Sequence, residues 1–437
     1  MDPSQVSFLK QGKMPCLKSV EGEMVQDPDS PYKISTKPHG DGEVHSLLHS
    51  SGVASSWKQA GKKWVVFLQD CNGLGFFSLP ACLGVSIKLN LKVNCVAVPR
   101  KSGQDLSSLV SLKHSDGRSI VAALRPHQLQ ALLKSTEGST ADANNSSTGF
   151  SPYLGLTNQM IMELDSYLET LGQTQGVVQE VVEPVFEGED LARPVSLQAP
   201  VTAYSFLVGG KEGVGYTSCP SWACHAPLDN SLEVAKELVA QGMPANSASA
   251  AEAGQYRAFA EVLKILGATV EMAEDQEYAG IPVSIGPLVV MEPSFATCPQ
   301  EMRARFPSPE NIKISSKSVL IVRGEGVVVE RLDLDGSVLL DAEEGAKLTV
   351  RQLVVKNNGA KLLAHGPDAT PDVTPEVALL RGYNVAVPDM RDVVISKAQG
   401  AVLIEETDEG LGAGPPPVPT ERQYGCVVAL LKWMGFM

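Results

Sequence analysis

The sequence predicts an α/β fold, a layered domain of strands and helices followed by a β-rich C-terminal part. Three observations carry this. From about residue 37 to 135, short apolar runs alternate with stretches of helical pattern, the signature of strands covered by helices. From about 312, β-branched runs and turn glycines (Gly324, Gly326, Gly336, Gly345, Gly359) recur every ten residues or so, the spacing of stacked β-helix rungs or a small sheet. Hydrophobic residues make up 43% of the 437 and charged residues 20%, enough apolar surface to bury a core.

The elements follow in order. VHSLLHSSG (44–52) reads as a helix after a glycine-containing loop. WVVFLQD (64–70) reads as a buried strand broken by the loop CNGLGFF, and a helix-like stretch follows. KLNLKVNCVAVPR (88–100) is a second strand, and SIVAALRPHQLQALLKS (119–135) begins as a strand and turns helical. STEGSTADANNSSTG (135–149) is polar and rich in turn residues, so it reads as an exposed loop. TNQMIMELDSYLETLGQT (157–174) fits an amphipathic helix with Ile161, Leu164 and Leu168 on one face. Two more helices, SLEVAKELVAQG and YRAFAEVLKILG, flank a small-residue stretch between residues 230 and 268. The change of character places a boundary near 290–312, giving regions 1–311, 312–404 and 405–437. The last begins EETDEGLGAGPPPVPTER, a linker or disordered tail by composition, and ends in CVVALLKWMGF, which reads as a short docking helix or a poorly ordered end.

Charge excludes some functions. With 36 Lys and Arg against 50 Asp and Glu, the net charge is −14, which argues against broad nucleic-acid or anionic-membrane binding. No apolar run approaches the roughly 20 residues of a membrane span. The N-terminal segment lacks the apolar core of a signal peptide, and the expected location is cytoplasmic. The eight cysteines are scattered and read as reduced thiols; Cys219 and Cys224 lack a second pair at zinc spacing. The seven histidines show no HExxH pattern and read as surface or satisfied core residues. Leu-Asp-Leu-Asp-Gly (332–336) lacks the later Glu of a calcium loop, so Asp333 and Asp335 read as turn-facing carboxylates.

Several loops carry residues suited to a phosphorylated ligand. In Lys37-Pro38-His39-Gly40-Asp41-Gly42, two closely spaced glycines would let the backbone approach a flat ligand; an ordinary turn is the alternative. Gln69-Asp70 follows a hydrophobic strand, where ligands gather in open α/β sheets, and a carboxylate there suits Mg²⁺ beside phosphates; a helix N-cap or loop residue is the alternative. Arg100 and Lys101 follow another strand and suit phosphate charge; a solvated basic pair is the alternative. GGKEGVG (209–215) has neither P-loop nor dinucleotide-binding spacing.

In order and spacing, HGDGEVH, VVFLQDCNGL, VNCVAVPRK and GFSPYLGLTNQMIMEL resemble the UDP-sugar pyrophosphorylases, which are UTP-monosaccharide-1-phosphate uridylyltransferases. VGYTSCPSWACHAPLDN (214–230), EAGQYRAFAEVLKILGATVE (252–271) and the stretch 323–359 extend the likeness to about residues 1–385. The resemblance implies a Rossmann-like (GT-A-like) mixed sheet with a C-terminal β-helix-like domain. It also implies a monomeric cytoplasmic transferase that makes UDP-sugar and pyrophosphate from UTP and a sugar 1-phosphate, with Mg²⁺ as cofactor and no nucleic-acid or membrane partner. By position it implies uridine contacts from His39, Gly40, Gly42 and Gln69, sugar contacts from Asn158 and Gln159, Mg²⁺ on Asp70, and phosphate chemistry at Arg100 and Lys101. Two departures stand against the family pattern. The family's first glycine-rich phosphate loop has no counterpart before residue 37, so the catalytic domain is expected to be N-terminally incomplete. The family's APVKN reads Ala226-Pro227-Leu228-Asp229-Asn230, an Asp in place of a phosphate Lys. Two alternatives follow: an inactive homologue that binds a UDP-sugar or a partner, or a pyrophosphorylase for UDP-glucose or UDP-N-acetylhexosamine.

Overall fold

A computed structural model describes residues 5–136, 141–182, 186–187, 190–208, 213–365 and 375–406. Residues 209–212 of the GGKEGVG stretch and nearly all of the C-terminal tail lie outside these. The chain divides into two compact units, Met1–Leu68 with Ala81–Cys219, and Gln69–Pro80 with Pro220–Met437.

The first unit is built on four strands: β1 (Trp64–Phe67), β2 (Val93–Val98), β5 (Gly155–Glu163) and β6 (Val214–Ser218), in the order β6-β2-β5-β1. β6 runs parallel to β2, and β5 runs antiparallel to both β2 and β1. Every residue of β2, VNCVAV, is buried, as a strand covered on both faces requires. A hairpin of β3 (Ser108–Lys113) and β4 (Ser119–Leu124) stands apart from the sheet. Its helices include α1 (Val44–Ser50), α2 (Gly75–Leu89, which spans the division at residue 80), α3 (Pro126–Ser135) and α4 (Leu164–Thr174). α3 starts where Pro126 needs no amide partner, and the Gln128 side chain accepts from the Arg125 amide at 2.9 Å.

The stretch 157–163 departs from the helical expectation. It is strand β5, and the helix begins only at Leu164. Met160, Ile161 and Met162 are all fully buried between β1 and β2, so the segment has no polar face to give a helix. Its register against β2 shifts between Cys95 and Ala97. The bulge falls at Asn158, which adopts φ +56°.

In the second unit, α5 (Leu232–Ala240) and α6 (Ala248–Leu266) are capped by Ser231 and Ser247, whose hydroxyls accept from Val234 N and Ala250 N. The intervening small residues, read as a break, largely belong to α6 because alanine is the best helix former. Below them lie parallel strands: β7 (Leu288–Met291), β8 (Ile312–Ile314), β9 (Val319–Arg323), β10 (Val327–Val329), β11 (Leu332–Asp335), β12 (Ser337–Ala342), β13 (Lys347–Lys356), β14 (Met390–Ile395) and β15 (Ala401–Glu405). β7, β9, β12 and β14 form one parallel sheet. β8 and β11 pair parallel with each other and β11 with the end of β13, whereas β10 and β15 pair with its beginning. Leu332 and Leu334 point into the core and Asp333 and Asp335 outward. Those two carboxylates therefore sit on a strand and not in a turn; Asp335 accepts from Ser315 Oγ at 2.7 Å and pairs with Lys317 Nζ at 3.2 Å. The parallel stack starts upstream of residue 312, since β7 pairs with β9.

Candidate functional site

In the first unit, β1, β2 and β6 all end at the edge where β5 begins, with Val98 opposite Gly155. The loops after these strands are where an open α/β sheet binds ligands.

Arg100 leaves β2 here, but its side chain is fully buried. Its Nε donates to Ser108 Oγ at 3.2 Å, Nη1 to Lys101 O at 3.1 Å and Nη2 to Asp142 at 2.9 Å. Asp142 in turn accepts from Ser151 Oγ at 2.5 Å, and Ser151 N donates to Arg100 O at 2.9 Å. The guanidinium thus knots three segments beneath the sheet edge. Lys101 is half-buried, its amide held by Gln104 Oε1 at 3.0 Å. Of the pair on β5, Gln159 is 2% exposed and Asn158 is half-buried on the bulge, so Asn158 is the one presented to solvent.

The HGDG loop is stitched to the segment 199–201. Gly42 N donates to Ala199 O at 2.6 Å, Ala199 N to His39 O at 2.8 Å, and Val201 N to Asp41 Oδ1 at 2.9 Å. A Cβ on Gly40 would lie 2.7 Å from Ala199 O, and one on Gly42 2.5 Å from Pro200 O. Both glycines are required by this approach of the chain to itself, with φ +116° at Gly40. His39 lies between two carboxylates, Nε2 2.6 Å from Glu180 and Nδ1 3.4 Å from Glu43.

Beneath this loop His45 is buried among Phe67, Tyr167 and Tyr204. Its Nε2 lies 3.1 Å from Val201 O, an acceptor only, so Nε2 carries the proton and Nδ1 accepts from Tyr167 OH at 2.9 Å. Burial lowers its pKa from 6.5 to about 4.

Gln69 and Asp70 belong to the second unit. Asp70 is exposed. The loop it opens is clamped to the residues 224–230: Leu228 N donates to Cys71 O at 2.9 Å, Asn72 Nδ2 to Cys224 O at 2.8 Å, and Ala226 N to Asn72 Oδ1 at 3.1 Å. Asp229 N and Asn230 N both donate to Asn246 O, at 2.9 and 3.1 Å. Burial, a hydrogen bond to Asp229 and the charges of Asp229 and Asp70 together push the Cys71 thiol up to about 12. Two carboxylates therefore act on one thiol, and Asp229, read from the sequence as a lost cation, is the second of them. His225 departs from the satisfied-histidine reading: both ring nitrogens are buried without a hydrogen-bond partner among the described residues, and burial lowers its pKa to about 4.

A cavity of about 460 Å³ in the same unit is lined by Leu74, Phe77, Pro80, Phe259, Met291 and Met302, an apolar wall with little to offer a phosphate. Among the described residues no group of three or more His, Cys, Asp or Glu is arranged to hold a metal ion, and no helix is long and apolar enough to cross a membrane. The sequence could not reveal Asp142, Glu180 or Asn246, since each reaches its partner across a fold contact distant in the chain.

No family model matches the chain. Over 353 residues it is 36% identical to a UDP-sugar pyrophosphorylase of Oryza sativa subsp. indica, a match covering 80% of this chain and 57% of that protein. Over 386 residues it is 35% identical to a UDP-sugar pyrophosphorylase of Arabidopsis thaliana, covering 88% of this chain and 62% of that protein. The chain thus spans about three-fifths of the length of these curated relatives. Among solved structures, a mutant UDP-glucose pyrophosphorylase from Leishmania major in complex with UDP-glucose is 12% identical with a TM-score of 0.39, covering 90% of this chain and 68% of that one.

Proposed function

We propose that this chain, a homologue of the UDP-sugar pyrophosphorylases, is a uridylyltransferase that joins UTP to a sugar 1-phosphate and releases pyrophosphate. The observation that carries the reading is the 35–36% identity over 80–88% of the chain.

In this reading the sugar phosphate oxygen attacks the α-phosphorus of UTP in line, and the protein contributes position and charge. Asp70 would hold Mg²⁺ and Asp229 would support it. The fit rests on hard oxygen donors: an exposed carboxylate after β1, and a second that acts with it on Cys71. When bound, the ion neutralises phosphate charge. Lys101 presents an ammonium beyond β2, and Asn158 offers an amide to a sugar hydroxyl. His39 would read the uracil edge, and Gln69 is the other side chain expected to contact the uridine. Gly40 and Gly42 shape the loop through their contact with Ala199 and Pro200, and Arg100 acts as a positioning residue that fixes the turn bearing Lys101. We read the parallel strands from β7 to β15 as a β-helix.

The test is formation of UDP-sugar and pyrophosphate by purified protein with UTP, Mg²⁺ and a panel of sugar 1-phosphates, with and without EDTA. Turnover that EDTA abolishes is expected. Absence of turnover at high enzyme concentration sinks the activity. A second reading, a non-catalytic binder of UDP-sugars, is favoured by the buried guanidinium of Arg100 and the carboxylate at Asp229. Calorimetric binding of UDP-glucose without turnover supports it.

A further inference from the structure

The Sγ atoms of Cys82 and Cys219 lie 3.9 Å apart. Both residues belong to the first unit. Cys82 is fully buried on α2, and Cys219, directly after β6, is half-buried. The backbone on each side of the pair is fixed to the same strand. The Asn94 side chain on β2 donates from Nδ2 to Cys82 O at 3.0 Å and to Ser86 Oγ at 2.9 Å, and its Oδ1 accepts from Thr217 Oγ1 at 3.0 Å. Cys219 N donates to Ala97 O, also on β2, at 2.9 Å. One buried asparagine therefore registers α2 and β6 so that the two thiols meet. A disulfide bond is about 2.05 Å long, so forming one here requires the sulfurs to close by roughly 2 Å, a motion within the reach of side-chain torsions.

We propose that Cys82 and Cys219 are a redox-modifiable pair that closes to a disulfide on encounter with a low-molecular-weight disulfide such as oxidised glutathione. Cys219, the accessible member, attacks one sulfur of the oxidant as its thiolate, forming a mixed disulfide and releasing one small thiol. Cys82, after losing its proton to solvent or to the departing thiolate, attacks the Cys219 sulfur and releases the second small thiol. Two protein thiols are oxidised and one small disulfide is reduced to two thiols. Proximity makes the second step intramolecular, so the mixed disulfide does not accumulate. The bond closes a span of 137 residues and pins α2 to the end of β6 beside Ala97, three residues before Arg100. Cys95 is a poor competitor for the oxidant, since it lies fully buried in β2 and burial pushes its thiol up to about 12.

The experiment exposes the full chain to oxidised glutathione, then alkylates it in denaturant and maps the peptides without reduction. Of eight cysteines, two fewer are expected to alkylate, and the peptides bearing Cys82 and Cys219 are expected joined in folded protein but not in chain oxidised while unfolded in urea. Trypsin leaves Cys71 with Cys82 and Cys224 with Cys219, so a C71S/C224S variant isolates the pair. Fragmentation of the joined wild-type peptides gives the same assignment if that variant fails to fold. In C219S, Cys82 should stay alkylatable. A Cys82 that stays alkylatable at oxidant concentrations that modify Cys219, or a Cys219 joined to another cysteine, overturns the proposal.

Discussion

Arg100 and His45 show how a buried polar side chain can decide more than an exposed one. Removing the carboxylate that pairs with Arg100 leaves a guanidinium buried without its charge partner, which costs about 3–5 kcal/mol. Asp142→Ala is therefore expected to lower the unfolding free energy measured in urea by that amount. Arg100→Ala should destabilise comparably, and a variant of Arg100 that lost UTP binding at unchanged stability would return this residue to the phosphate. His45 makes a pH prediction. Its imidazole stays neutral in the fold down to about pH 4, whereas in the unfolded chain it binds a proton near 6.5. Between those values the unfolded state holds more protons, so stability is full above about 6.5 and falls as the pH drops toward 4. The slope is up to about 1.4 kcal/mol per pH unit for each such histidine. His225, lowered to about 4 by burial, contributes a second. His45→Phe should remove one of the two slopes in urea denaturation measured from pH 7 to 4, while costing about 1–3 kcal/mol at neutral pH for the Tyr167 hydroxyl that loses its acceptor. An undiminished slope would place the titration elsewhere.

At the scale of elements, β5 separates what the sequence disclosed from what it hid. β1, β2 and α3 were legible because their apolar runs and boundary residues, such as Pro126 and Pro99, agree on one structure. Residues 157–163 were not legible, because a strand buried on both faces has no alternation and reads equally as a helix segment. The bulge at Asn158 arises from pairing with two neighbours at once, which no local pattern records. The glycines of 323–345 were legible as corners for a physical reason: Gly324 and Gly326 pass so close to Ala342, at the end of β12, and Ala346, just before β13, that a side chain would collide with backbone. The HGDG glycines were legible as a close approach but not as to what approaches, since Ala199 is 159 residues from Gly40 in the chain. Asn158 gives the element-scale prediction. Asn158→Gly suits φ +56° and should change stability by less than about 1 kcal/mol. Asn158→Val forces a β-branched residue into a left-handed conformation and should cost about 1–3 kcal/mol. If the amide contacts sugar, Asn158→Gly raises the KM for sugar 1-phosphate while the melting temperature holds; an unchanged KM removes Asn158 from the site.

At the scale of the molecule, neither compact unit is a continuous stretch of chain, because the second takes Gln69–Pro80 from within the first. Composition sees local character and so marked the change at 312, whereas compactness depends on contacts between distant residues. The region ahead of 312 already belongs to the parallel stack. Thr269 and Val270 pair with Lys313 and Ile314, and Leu288–Met291 pair with Val319–Val322. Val289 and Met291 share a core with Leu320, Val322 and Val338. A chain ended at residue 311 would leave β7, all four of whose residues are buried, as an unpaired apolar edge, the kind of edge that recruits other chains. Such a chain is expected to collect in the insoluble fraction, or, where soluble, to bind a hydrophobic dye and lack a sharp calorimetric transition. A cooperative transition in the truncated chain, at the temperature of the full chain, would show instead that residues 1–311 carry their own core and that the strands after 312 stack on a fold already complete.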